Sequence, residues 1–317
     1  MKAAIQYKRL ADTILMVRPY DFTYNEQTGL DNEFQQRPVC GVDNVNAKAM
    51  AEFANMVDIL RSRDVKVTIL EKGRGRETPD AVFPNNWFST EHDGTLIFYP
   101  MLTENRRAEK RVVDVEDLLI KEGFHIRNLI NIGRYSQPIR ILEGTGSMII
   151  DHDNEIVYAA ESQRCERSQF EDFLHARRYC EGILFQTRGS SGKVIYHTNV
   201  MMSIGRSLAV ICLACIPSQR QRDQITSRLG TSHEIVDISM EQMEKSFCGN
   251  ILQIRNRKDK SLIVMSERAY QGFTGEQHER LAKHGEALPI PIPTIEEVGG
   301  GSVRCMMAEV FLPRVPK

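Results

Sequence analysis

Four times along this chain two apolar runs flank a short polar turn: 87–99 around Asp93-Gly94, 147–158 around Asp153-Asn154, 199–213 around Gly205, and 250–265 around a polar stretch. Each reads as a β-hairpin, because turn chemistry between two β-favouring runs folds the second back on the first. Segments with helical periodicity alternate with them at 47–63, 107–122, 166–179, 219–229 and 276–284, each amphipathic and flanked by Gly or polar residues. This alternation limits the chain to α/β architectures. The strand at 13–17 and the apolar run at 303–312 have no hairpin partner beside them in sequence. Paired with each other, they would make a fifth unit and close a ring. A two-layer α/β sandwich fits the same elements, since no residue identity recurs at a fixed period. With no low-complexity segment and no linker, residues 1–317 are expected to form a single domain. The Gly-Arg-Gly-Arg-Glu-Thr-Pro stretch at 73–79 reads as a loop at the edge of a site rather than a boundary.

Charge narrows the partners. Lysine and arginine number 41 against 42 acidic residues, spread along the chain, so no electrostatic footprint for nucleic acid or anionic lipid is visible. A small-molecule substrate is expected, with no nucleic acid and no membrane as partner; a homodimer is allowed. No apolar run is long enough to span a bilayer and the first residues carry no signal-type core, which suggests a cytoplasmic protein. Seven cysteines without framework spacing point to a reducing compartment and mostly buried thiols. Cys212-Leu-Ala-Cys215 lies inside the apolar run 208–216 with no second pair, so it reads as buried strand cysteines and not as a redox or zinc motif. No dinucleotide or phosphate-loop fingerprint is present. Neither a metal nor an organic cofactor is expected.

Four segments could carry chemistry. Three glycines, Gly299 to Gly301, precede Cys305 at the start of the last apolar run, where they would let backbone approach a ligand and aim amide donors at a developing anion. His197 stands at the mouth of a hairpin, a position that suits a general acid or base beside a pocket. Glu143 sits in an apolar, glycine-rich lead into a strand, where burial would raise its pKa unless it is paired. The stretch 78–89 combines Asp80, the adjacent amides Asn85 and Asn86, and the chain's single tryptophan. Each segment alone also reads as ordinary structure: a turn and buried cysteine, a structural histidine, a strand cap, an Asn-Asn turn. What they share is phase. All fall just before a hairpin or strand, and in a ring equal phase means one common centre.

Taken together, the four segments resemble the pentein superfamily, which includes arginine deiminases, dimethylarginine hydrolases and amidinotransferases, and within it the amidinotransferase-like branch of citrulline ureidases. The likeness runs from Val17-Arg18-Pro19 to Cys305-Met-Met-Ala-Glu. It implies a five-bladed ββαβ α/β-propeller, Cys305 as nucleophile, His197 as general acid/base, and Glu143 as the carboxylate that orients it. It further implies that Arg164 grips the substrate α-carboxylate and that Asp80 binds substrate, while Arg18 and Asn250 fall in matching segments with structural roles near the site. Two departures stand out: Asn85-Asn86 where deiminases tend to place acidic residues, and His197-Thr-Asn199 where His-x-Asp is usual. A guanidinium offers only donors and wants carboxylates, whereas a neutral ureido group both donates and accepts, as an amide side chain does. The expected reaction is therefore citrulline to ornithine, ammonia and carbon dioxide. Hydrolysis of arginine, agmatine or dimethylarginine and amidino transfer remain as alternatives of the same chemistry, and a non-catalytic binding ring as one of a different class.

Overall fold

The computed structural model describes residues 10–38, 41–71, 73, 75, 77–133, 138–179 and 181–315. Arg74 and Arg76 of the loop at 73–79, and Cys40 and Cys180 among the cysteines, lie outside the described residues.

Among the described residues the strands form five separate three-stranded sheets, each made by one ββαβ unit. The first unit contains Phe88–Thr90, Thr95–Phe98 and Asn128–Asn131, and the second Met148–Asp151, Ile156–Ala160 and Glu181–Phe185. The third contains Met202–Ile204, Leu208–Ile211 and Glu234–Asp237, and the fourth Leu252–Arg255, Ser261–Ser266 and Glu286–Ile290. The fifth joins the chain ends: Ala308–Glu309 pairs antiparallel with Thr13–Val17, which pairs in parallel with Lys66–Leu70. In every unit the first two strands are antiparallel and the third is parallel to the second. A crossover helix supplies the reversal that a parallel partner needs.

The middle strands are near-continuous apolar runs, fully buried in Thr13–Val17, Thr95–Phe98, Ile156–Ala160 and Leu208–Ile211, as expected for strands covered on both faces. The crossover helices pack one stripe inward. In Val42–Ser62 the buried positions Val45, Ala49, Phe53, Met56 and Leu60 recur at helical spacing. Adjacent units touch through their first strands: Ala308–Glu309 lies against Phe88–Thr90, Met148–Asp151 against Met202–Ile204, and Leu252–Arg255 against Met202–Ile204. The fourth and fifth units meet where Arg255 N–H donates to Ala11 O at 3.0 Å.

Three expectations change. The run 303–312 is a strand only over Ala308–Glu309, because the amides of Cys305, Met306 and Met307 donate back to residues 302–304; Cys305 thus sits in a tight turn and opens no strand. The helix expected at 107–122 is two helices, Glu104–Ala108 and Val112–Lys121, and at the break between them Arg106 and Glu109 turn inward as a buried pair. Cys215 belongs to a short 3-10 turn, Leu213–Cys215, with Cys212 just before it; both are buried, but neither lies in a strand.

Immediately before each first strand the chain makes a tight turn: Pro84–Asn86, Gly144–Ser147, Thr198–Met201, the turn closed by Asn250 N–H to Phe247 O, and 303–306. The five turns crowd together. Gly144 has φ +46, and a Cβ there would lie 2.5 Å from Asn85 O and 2.8 Å from Asn86 O, so the second turn packs directly on the backbone of the first. Gly144→Ala is expected to lower the unfolding free energy by about 2 kcal/mol or more, measured by urea denaturation; an unchanged midpoint would refute this packing.

Candidate active site

Cys305 is buried, and its Sγ accepts N–H bonds from Asn199 Nδ2 and Asn250 Nδ2, both at 3.3 Å. The Asn250 amide has a fixed orientation, since its Oδ1 accepts from the Arg304 N–H at 3.2 Å and its Nδ2 also donates to Asn199 O at 2.8 Å. Two amide donors on one sulfur are the contacts a thiolate accepts. The third, fourth and fifth turns therefore meet at this atom.

His197 begins the third turn and Glu143 the second. Their side chains meet at 2.8 Å between Nε2 and Oε2, with the other carboxylate oxygen accepting from the Leu102 N–H at 2.9 Å. Burial alone would push the Glu143 carboxyl up, but Arg164, the hydrogen bond to His197 and the nearby Arg106 outweigh it and hold the group at about 2. Burial also pushes the His197 imidazole below its usual value, against the pull of Glu143. At neutral pH the carboxylate is thus ionised and the imidazole neutral. Nε2 carries the proton donated to Glu143, and Nδ1 is left as the basic nitrogen. Gly146 gives this ring its room: a Cβ there would lie 2.9 Å from both Cε1 and Nδ1.

Arg164 is buried with Nη1 3.6 Å from Glu143 Oε2, its face over the Tyr196 ring, and its fork on Asp31 through Nε at 2.8 Å and Nη2. The fork that the family resemblance implies for a substrate carboxylate is filled here by a protein carboxylate, that of Asp31. Asp80 Oδ2 accepts from Asn25 Nδ2 at 2.7 Å and Thr28 Oγ1 at 2.9 Å, and burial raises its carboxyl against the opposing pull of Arg106. In the first turn Arg106 Nη1 donates to Asn86 Oδ1 at 2.8 Å, and Asn86 Nδ2 donates to Asn85 Oδ1 at 3.0 Å. Because a guanidinium can only donate, this relay fixes both amides and turns Asn85 Nδ2 away from either. Three buried polar atoms have no partner among the described residues at these positions: Asn85 Nδ2, Asp80 Oδ1 and Asn199 Oδ1. Unpaired buried groups are costly and call for an explanation; a ligand that pairs with them supplies one.

The structure thus joins Cys305, His197, Glu143, Asp80, Asn85, Asn86, Arg164 and Asn199 through shared neighbours in one cluster. Arg18 stands apart, held by Glu71 at 3.0 Å near the rings of Tyr20 and Phe53. Of the glycines before Cys305, Gly300 has its amide engaged within the fold: its N–H donates to Glu296 O at a helix end, and its carbonyl accepts from Tyr196 OH at 2.7 Å. Sequence reasoning missed Arg106, which falls one residue before the helix expected at 107–122, and Asp31. It gave Asn250 only a structural role, although its place before the fourth hairpin repeats the phase of the other four segments.

The family model described as N,N dimethylarginine dimethylhydrolase, eukaryotic, matches residues 18–312. The chain belongs to that family. It is accordingly a member of the pentein superfamily of guanidino-modifying enzymes and a hydrolase acting on carbon–nitrogen bonds. Among solved structures, the N-terminal domain of ArgZ, a cyanobacterial arginine dihydrolase of the ornithine–ammonia cycle, crystallised with substrate as a cysteine-to-serine mutant, is 16% identical with a TM-score of 0.69, covering 96% of this chain and 99% of that one. Apo full-length ArgZ is 15% identical with a TM-score of 0.70, and there the match covers 96% of this chain but 41% of the longer one. DDAH from Pseudomonas aeruginosa, a cysteine-to-serine mutant complexed with citrulline, is 13% identical with a TM-score of 0.65, covering 95% and 100%. No curated protein sequence matches the chain significantly.

Removing one sulfur-directed donor is expected to weaken the nucleophile. Asn250→Ala should slow iodoacetamide alkylation of Cys305 at pH 7 by roughly fivefold, read by mass spectrometry; an unchanged rate would show that the amide does not act on the sulfur.

Proposed function

We propose that this enzyme hydrolyses citrulline to ornithine, ammonia and carbon dioxide, on a single-domain five-bladed ββαβ propeller whose five turns build one centre. The observation that carries the reading is the unpartnered N–H of Asn85, locked in orientation by Asn86 and Arg106. A guanidinium has no acceptor to offer it. A ureido oxygen does, while Asp80 Oδ1 and Asn199 Oδ1 match the ureido N–H groups.

In this mechanism His197 Nδ1 takes the Cys305 proton, and the sulfur attacks the ureido carbon. The same nitrogen returns the proton to the departing amine, so a carbon–nitrogen bond breaks as the carbon–sulfur bond forms. Water, deprotonated in turn by His197, then releases the carbonyl from sulfur, and the carbamate formed loses carbon dioxide. One water is consumed per citrulline. Glu143 orients the imidazole and stabilises its charged form. Arg164 receives the substrate α-carboxylate by exchange with Asp31, which occupies its fork in this structure. Buried thiols and a substrate of general metabolism fit a cytoplasmic setting.

A second reading has a specific observation behind it. Asp80 presents an unpartnered buried carboxylate oxygen, and burial raises its carboxyl, which a bound guanidinium would reverse. Arginine or dimethylarginine would be the substrate, in keeping with the arginine dihydrolase and dimethylarginine hydrolase descriptions of the relatives.

Purified protein incubated separately with citrulline, arginine, agmatine and dimethylarginine decides between them. Ornithine and ammonia are expected from citrulline, with none from Cys305→Ser. Citrulline accumulating from arginine or dimethylarginine, with citrulline itself inert, would contradict the ureido reading and establish the second.

A further inference from the structure

The five turns lie at the starts of the first strands, and a different kind of site lies at the other ends. Leu252–Arg255 begins two residues after Asn250 and runs away from the sulfur to Arg255, whose N–H reaches Ala11 just before the strand Thr13–Val17. There, an open cleft of about 670 Å³ is lined, among the described residues, by Arg61, Lys66, Arg255, Arg257 and Arg314, with one acidic residue, Asp12, and two valines. In a chain of net charge −1 this is a local excess of positive charge. It is invisible in sequence because the five cations come from positions 61 to 314.

The cations are differently engaged. Arg255 is held by Asp12 at 2.5 Å, Asp259 at 3.0 Å and Leu10 O at 3.0 Å; Lys66 pairs with Glu122 at 2.7 Å. Arg314 donates to Thr13 Oγ1 at 2.9 Å, approaches Asp12 at 3.5 Å, and lies over the Phe124 ring. Arg61 is aimed by a single bond to Val67 O at 3.2 Å and has no carboxylate partner among the described residues. Arg257 likewise has no carboxylate within ion-pair distance there. Two guanidinium groups without an ion-pair partner among the described residues, Arg257 with the Asp64 carboxylate as a more distant neighbour, thus line a cleft whose other cations are held by carboxylates.

We propose that this cleft is a second ligand site, separate from Cys305, that binds a small multivalent oxyanion. Arginine forks match phosphate and carboxylate oxygens in pairs. Among the described residues no aromatic side chain lines the cleft to stack a nucleobase, so the recognised chemistry is the anionic groups themselves. Such a ligand would bridge Arg257 of the fourth unit and Arg61 of the fifth.

The test uses the full chain at matched ionic strength, with tripolyphosphate and citrate as probes in titration calorimetry. Saturable binding of one probe is expected, weakened at least tenfold in Arg61→Gln/Arg257→Gln and severalfold in Arg257→Gln alone, whose side chain has no ion-pair partner within the described residues. Preference for tripolyphosphate would assign the site to phosphate groups and preference for citrate to carboxylates. Binding of neither probe, or equal binding by the double variant, would overturn the proposal.

Discussion

A carboxylate with almost no exposure to solvent sets the terms for this molecule. Glu143 is 1% exposed and ionised, a state that costs several kcal/mol in a protein interior unless charge and hydrogen bonds compensate it. Its compensation comes from elsewhere in the chain: the Leu102 N–H, the His197 ring, and the guanidinium groups of Arg164 and Arg106. These groups can gather only if the turns before successive sheets converge. The convergence in turn forces backbone against backbone at Gly144, and it places Asn199 and Asn250 against Cys305. Charge compensation, turn packing and nucleophile environment are thus one arrangement.

The same logic explains why the polar atoms of the site are fixed without being fully satisfied. Arg106 can only donate, so Asn86 presents oxygen to it and nitrogen to Asn85, and the last amide in the relay is left with a free donor. Arg304 N–H fixes Asn250 in the same way. Directional constraints imposed from the protein side leave a defined pattern of unmet donors and acceptors, and that pattern is the complement of a ligand. At the far ends of the strands the excess is of charge rather than hydrogen bonding, since Arg61 and Arg257 have no ion-pair partner among the described residues.

Much of this was legible in the chain, and what was not has physical causes. The hairpins announced themselves because their strands are apolar runs broken by turn residues; the third strands did not, since Asn128–Asn131 and Glu234–Asp237 are short, polar-ended and partly exposed. Pairing of 13–17 with the C-terminal run followed from each lacking a neighbour. Cys305 looked like the start of a strand because apolar residues follow it, yet local turn hydrogen bonds won. Arg106 went unseen because it falls just before the segment read as a helix, in a short helix, Glu104–Ala108, rich in charged residues. Asp31 carried no signal at all, lying in a polar stretch whose partner, Arg164, is 133 positions away.

The central claim is that a fixed, unpartnered amide donor at Asn85 selects a neutral ureido group over a cation. Asn85→Asp replaces that donor with an acceptor while keeping size and shape. The ratio of kcat/KM for citrulline over that for arginine measures the claim directly. We expect it to fall by roughly tenfold to a hundredfold, as the loss of one buried donor and the gain of a charge imply. A ratio that stays constant or rises would contradict the account.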